Sequence, residues 1–313
     1  MNKFYTQIIF LLLSITIYVN NETLATEPAS KENATKPASK ENATKPASKE
    51  NATEPASEEN ATPPLSHRDR AEEIYEENKH LLCINPEEII NADKLMNEAV
   101  KHLKMHATTI NSYEMCGFSL YDGVSYYKKI YKNHTQISKA HLIVCNPNKY
   151  NEIIKMLWDP GLKNYFNNGS VKISRVYNPN LVMIQQRYKK KLGRRQKYFY
   201  ALAKKVEISD DTTIITMTSA NINDHNPSDE EYKNTIVESA NLFTTDIDSE
   251  DDIRKGKLKK VFVNLAGYLI EKKSYYVYVT YVESINGHTS IKPIWGDNAP
   301  LIDMFPHLNL YEP

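Results

Sequence analysis

Asn178–Lys205 reads NPNLVMIQQRYKKKLGRRQKYFYALAKK. Two runs rich in β-branched, aromatic and aliphatic residues, Leu181–Tyr188 and Tyr198–Ala203, flank a turn with Gly193 near its middle, a pattern that predicts a β-hairpin. A long antiparallel hairpin is marginal alone, so it implies a sheet with more strands and a layer packed on one face. Its tip gathers Arg187, Lys189, Lys190, Lys191, Arg194, Arg195 and Lys197, with Leu192 the one large apolar side chain among them.

The chain around the hairpin supplies both requirements. Asn85-Pro86-Glu87-Glu88 places an N-cap residue, a first-turn proline and two carboxylates at the start of a helix. Ile89, Ala92, Met96, Ala99, Val100 and Leu103 follow at helical spacing. Strands are expected at Tyr113–Leu120, Val124–Tyr131 and Lys139–Val144, with a turn at Asp122-Gly123. Asn146-Pro147 opens a second helix through Leu157, stopped at Asp159-Pro160-Gly161. Further strands follow at Lys172–Tyr177, Thr212–Ser219, Val261–Ile270 and Tyr275–Glu283. Helices do not alternate with the later strands, so the pattern predicts an α+β domain with an antiparallel sheet and helices on one face.

The N-terminal region has another character. Lys3 precedes the apolar run Ile8–Val19, and Thr23 and Ala25 offer a small-x-small cleavage site, so residues 1–25 read as a signal peptide and the mature chain as secreted. Residues 26–64 hold a repeated nine-residue unit, PASKENATK, with no aromatic or large aliphatic side chain to bury, which predicts a disordered linker. Asn33, Asn42, Asn51 and Asn60 begin sequons inside the repeat, and Asn21, Asn133 and Asn168 begin others.

Charge and cysteine content narrow the function. Lys and Arg number 39 and Asp and Glu 39, so the net charge is zero and no nucleic-acid partner is expected. Cys83, Cys116 and Cys145 leave two arrangements open, one disulfide with a free thiol, or burial as small apolar side chains. His102 and His106 share a helix face at metal-binding spacing, but no glutamate follows the HExxH pattern, so no metal is expected. Asp224-His225 lies in turn chemistry and reads as surface residues capping the backbone. Asp246, Asp248 and Glu250 begin like a calcium loop, yet Asp251 and Lys257 occupy the positions of its glycine and bidentate glutamate. P-loop, GxGxxG and GxSxG motifs are missing, so neither an enzyme nor a cofactor has positive support. The basic tip has three readings: a solvated loop that discourages edge pairing, a dock for an anionic membrane with Leu192 at the interface, or a single-stranded nucleic-acid site stacking on Tyr188, Tyr198 and Tyr200.

The order of blocks from Cys83 to Gly287 resembles a known family. The NPEE helix at Asn85, LWDP at Leu157, LVMIQQRY at Leu181, QKYFYALAKK at Gln196, NDHN at Asn223, IVESAN at Ile236, DIDSEDDIRKGKL at Asp246 and VNLAGYLIEKK at Val263 are similar to the fam-a proteins of malaria parasites. Those are secreted or exported proteins built on a START-type (StAR-related lipid transfer) domain. The resemblance implies a helix-grip fold over residues 83–313, a curved antiparallel sheet wrapped around a long C-terminal helix and enclosing one lipid. Gln196 stands where the family often has the Asp of an Arg-Asp pair beside Arg195, so that headgroup site does not carry over. After Ile291, Gly296, Pro300 and Pro306 interrupt the C-terminal helix.

The resulting expectation is a secreted, non-enzymatic, monomeric carrier of a phospholipid such as phosphatidylcholine. Val182 and Ile184, Phe199 and Ala201, Val263, Leu265 and Gly267, and Val277 and Val279 are the candidates for an apolar cavity lining, with ordinary core as their plainer role. Lys189, Lys190, Lys191, Leu192, Arg194 and Arg195 are the candidates for membrane docking. An interaction scaffold that transfers no lipid and an enzyme on the helix-grip scaffold are the rivals. No R-x-L-x-E/Q/D export motif follows the signal sequence, so secretion is better supported than export into a host cell.

Overall fold

The computed structural model describes residues 67–119, 123–160, 169–190, 192–228 and 231–286. The expected signal peptide and the repeat, Asp122, Lys191, Asn168 and the interrupted segment after Ile291 lie outside these residues.

Asn85 caps the longest helix, α2 (Pro86–Thr108), through hydrogen bonds that its side chain accepts from the Glu87 and Glu88 backbone N–H groups. The cap, the proline at the helix start and the two acidic residues act as the sequence predicts. Asn146 likewise accepts from the Asn148 N–H, but there the chain first makes a short 3-10 turn before α3 (Tyr150–Trp158). A helix the sequence reading left out, α1 (His67–Glu77), precedes both.

The hairpin forms as β5 (Leu181–Arg187) and β6 (Lys197–Ser209), paired antiparallel from Leu181–Lys204 to Arg187–Tyr198. Gly193 at the tip has φ +72°, a conformation that a side chain strains. Around the hairpin are β1 (Glu114–Ser119), β2 (Val124–Ile130), β3 (Gln136–Val144), β4 (Ser170–Asn178), β7 (Thr212–Thr218), β11 (Phe262–Lys272) and β12 (Val277–Asn286). Their order is β1-β2-β3-β12-β11-β7-β6-β5-β4, and each neighbouring pair is antiparallel. A short strand, β10 (Lys259–Lys260), joins β6 in parallel, and β8 (Asn221–Asn223) pairs with β9 (Thr244–Asp246) in a separate ribbon.

The helices do not share one face of the sheet, contrary to the expectation from sequence. One face packs on α2, where Leu95, Met96, Ala99 and Leu103 meet Leu202, Ile214, Leu265 and Leu269. The other face packs on α1 and α3, where Ala71, Ile74, Ile153 and Ile154 meet Val182, Ile215, Ile270 and Val279. Strand alternation explains the arrangement. In β6, Tyr198, Tyr200 and Leu202 point to α2, while Phe199, Ala201 and Ala203 point the opposite way. A strand buried on both faces shows no polar alternation, and β6 is buried from Tyr198 through Lys205.

The acidic run that fails as a calcium loop instead ties the structure together. Arg187 donates to both Asp252 carboxylate oxygens at 2.6 and 2.9 Å and lies 3.1 Å from Glu250. Gln185 also donates to Glu250, at 2.7 Å, and Lys172 pairs with the same carboxylate. The Arg187 hydrogen bonds hold Asp252 below the usual carboxylate range. Asp224 caps the backbone as expected, accepting from the Asn226 N–H at 3.3 Å, but it is not on the surface: it is 2% exposed and also accepts from Tyr198 Oη and Lys260 Nζ, each at 2.8 Å. His225 beside it is exposed, with φ 57° and its ring 3.1 Å from Asp246.

All three cysteines are free; Cys83 is buried, whereas Cys116 and Cys145 are exposed rather than used as small apolar core. His106 is buried and its Nδ1 lies 2.9 Å from the Tyr113 hydroxyl. Among the described residues no group of three or more metal-ligating side chains comes together, and no helix is long and apolar enough to cross a membrane.

Candidate lipid cavity

A cavity of about 80 Å³ lies where β4, β5, β6, β7 and β11 face α1 and the C-terminal turn of α3. The sheet contributes Ile173, Val182, Ile184, Ala203, Ile215 and Met217; the helices contribute Ile74, Met156 and Leu157. The pairings place these side chains side by side: Ile173 opposes Ile184, Val182 opposes Ala203, and Ala203 opposes Met217 across adjacent strands. Register explains the apolar lining, because each inward residue sits across from another inward residue.

Five side chains with polar atoms enter the lining: Gln186, Trp158, Asp159, Thr216 and Tyr268. Thr216 donates to the Ala266 carbonyl at 3.2 Å. Asp159 accepts from Arg70 Nε at 2.9 Å, an ion pair that ties α1 to the end of α3. Arg70 also lies 2.9 Å from Glu73 and 3.5 Å from Glu77. Gln186 Nε2 and Trp158 Nε1 are buried donors with no acceptor among the described residues.

The expected lining residues divide into four groups. Val182, Ile184 and Gly267 line the cavity. Val277 and Val279 belong to the core on the same face, beyond the lining. Phe199, Ala201 and Val263 form a small adjoining cluster with Tyr188, joined to the cavity wall by Ile184 and Met217. Leu265 is a correction: it packs on α2, on the opposite face. A register shift between Val263 and Leu265 breaks the simple alternation there, and a bulge is not visible in hydrophobic pattern alone.

Tyr268, buried at the cavity wall, stacks obliquely on Tyr281 with ring centroids 5.0 Å apart, and Tyr281 donates to Glu283 at 2.8 Å. Burial pushes the Tyr268 hydroxyl well above its ordinary pKa, so it stays neutral at neutral pH. Trp158, Gln186, Arg70 and Asp159 escaped the sequence reading as site residues. The stop signal at Asp159-Pro160 places Trp158 and Asp159 at a helix end, but nothing local says that this end closes a cavity.

At the hairpin tip Lys189, Lys190, Arg194 and Arg195 are exposed, and Leu192 is fully so. Lys191 lies outside the described residues. Tyr188, Tyr198 and Tyr200 are at most 6% exposed, which removes the stacking platform that single-stranded nucleic acid requires.

No protein-family profile matches the chain, and no curated protein sequence matches it. Solved structures do. Human StAR-related lipid transfer protein 5 is 12% identical with a TM-score of 0.46, covering 69% of this chain and 88% of its own. Human STARD10 is 12% identical with a TM-score of 0.42, covering 67% and 72%. A STAR-related lipid transfer protein from Xanthomonas axonopodis is 9% identical with a TM-score of 0.37, covering 63% and 90%. The α+β class and the curved antiparallel sheet expected of a START-like fold are present in the structure.

Proposed function

We propose that the chain is a secreted, non-enzymatic lipid-binding protein whose cargo lies between the sheet and helices α1 and α3. The observation that carries this reading is the cavity itself, an apolar enclosure with a few polar side chains, the composition of a small-molecule site. Asp159 is held by Arg70, which supports a binding rather than an acid-base role. The leader at residues 1–25 supports secretion, and the ordered blocks similar to fam-a proteins support a phospholipid such as phosphatidylcholine as cargo. A volume of about 80 Å³ accommodates part of one acyl chain, whereas drug-sized ligands occupy roughly 300–1,000 Å³. Loading a whole phospholipid therefore requires α1 and α3 to move apart from the sheet. The exposed Lys189, Lys190, Arg194 and Arg195 around Leu192 form the surface by which a monomeric carrier meets an anionic membrane.

The small volume favours one rival, a START-type scaffold that binds partners and no lipid. Native mass spectrometry of the purified secreted chain separates the two. A co-purifying lipid mass is the expected result, and an empty, monodisperse protein that takes up no lipid from vesicles would favour the scaffold.

A further inference from the structure

Two buried donors at the cavity make no hydrogen bond among the described residues. Gln186 is 1% exposed and lines the cavity, yet its Nε2 has no acceptor; Trp158, 9% exposed, lines the same cavity with its Nε1 equally without one. A buried donor left unpaired costs about 1–3 kcal/mol, so two in one apolar cavity mark the place of an absent acceptor. With its Nε2 unpaired the Gln186 amide offers a donor, and half a turn that exchanges its O and N would offer an acceptor instead.

Charge limits what that acceptor is. Among the described lining residues there is no Lys, Arg or His, and the one charged side chain is the carboxylate of Asp159. Arg70, which holds Asp159, also faces Glu73 and Glu77. Lys205 lies over the face of the Trp158 ring, 5.9 Å from its centroid, and is not among the lining residues. An ionised carboxylate or phosphate in this cavity would meet the Asp159 carboxylate and no cation among the described lining residues, which is far more costly than burying a neutral oxygen.

We infer that Gln186 and Trp158 recognise an uncharged oxygen acceptor on the cargo, above all an ester carbonyl, so that the cavity selects an ester-linked acyl chain over an ionised fatty acid. The inference rests on the lipid-binding reading and adds the chemical class of its cargo. An ester carbonyl occurs in phospholipids and in uncharged acylglycerols alike.

The test is calorimetric titration of the full chain, below micelle concentrations. The probes are 1-lauroylglycerol, 1-lauroyl lysophosphatidylcholine, the dodecyl ether analogue of each, and laurate. Both ester probes should bind more tightly than their ethers, and laurate most weakly. Gln186→Met and Trp158→Phe should each weaken ester binding about fivefold, the worth of one neutral hydrogen bond, and leave ether binding unchanged. The melting temperature of the empty Gln186→Met chain should hold or rise, because an unpaired buried donor has been removed. Equal binding of the two esters would show that the carbonyl alone is read; tighter binding of either one would identify phospholipid or acylglycerol as its source. Variants that still prefer esters as the unaltered chain does, or tighter binding of laurate than of the esters, would overturn the donor assignment and leave the cavity reading standing. Failure of every probe to bind would remove both.

Discussion

At the scale of single residues, Gly267 carries the tightest constraint. Its φ is +151°, and a Cβ there would lie 2.1 Å from the Ile215 carbonyl oxygen, backbone that cannot step aside. Gly267→Ala is expected to cost about 3 kcal/mol or more, between backbone strain and overpacking, read as a lower urea midpoint. Retention of the midpoint would mean that β7 and β11 separate more easily than their pairing suggests. Protonation gives a second expectation at this scale. Burial is the main cause that lowers His106 and His141 from 6.5 to about 4, with Lys139 adding to it in both, and Lys129 and His102 in His106. Between those values the unfolded chain binds protons that the folded chain refuses, so stability is complete above pH 6.5 and is lost as pH falls toward 4. The urea midpoint should therefore drop from pH 7 to pH 5, before most carboxylates titrate, and His141→Gln should flatten the slope. An unchanged midpoint across that interval would contradict the burial of His106 and the partial burial of His141.

Among the elements, the hairpin combines what was legible with what was not. Its strands, turn and glycine could be read directly, because residue type, spacing and turn chemistry are local properties. The separation of its basic residues could not: Arg187 belongs to the acidic loop through Asp252, while Lys189, Lys190, Arg194 and Arg195 remain exposed. Changing Lys189, Lys190, Lys191, Arg194 and Arg195 to Ser should abolish binding to phosphatidylserine vesicles, with melting nearly unchanged. Wild-type binding should also weaken steeply with salt, since exposed charges are screened beyond roughly 8–10 Å. Vesicle binding that ignores either change would return the tip to a solvated loop. Helix α1 was missed for a different reason. Its sequence, HRDRAEEIYEE, is almost wholly charged and polar, and only Ala71 and Ile74 are fully buried in the core, too few to set a period. The face of β11 was half legible: Val263 lies on the expected side, and the register shift sends Leu265 to α2. The cavity's apolar residues could be nominated from alternation, but its polar ones come from a helix end and from strands more than 25 residues away in sequence, where no pattern links them.

For the whole molecule, α1 moves the working start of the domain upstream of Cys83, the first residue of the family-like blocks. A chain beginning at Leu65 should melt with the full chain, because the repeat has nothing to bury. A chain beginning at Cys83 should melt several degrees lower, having lost Ala71, Ile74 and the Arg70–Asp159 pair. Equal melting of the two truncations would mean that α1 contributes little to the core. The placement of helices on both faces has a further consequence for how the protein breathes. α2 spans 23 residues and buries eight of them. The helices opposite are shorter and border a void. Opening of the molecule is therefore graded, with one side giving way while the other holds the sheet in register. In deuterated water, amides in the middle of α2 and in β6, β7 and β11 should exchange only through global unfolding. Those of α1 and α3 should exchange through a smaller opening of lower free energy, slowed when the cavity is filled. That local excursion, rather than loss of the fold, would set the rate at which the cavity exchanges its contents with solvent.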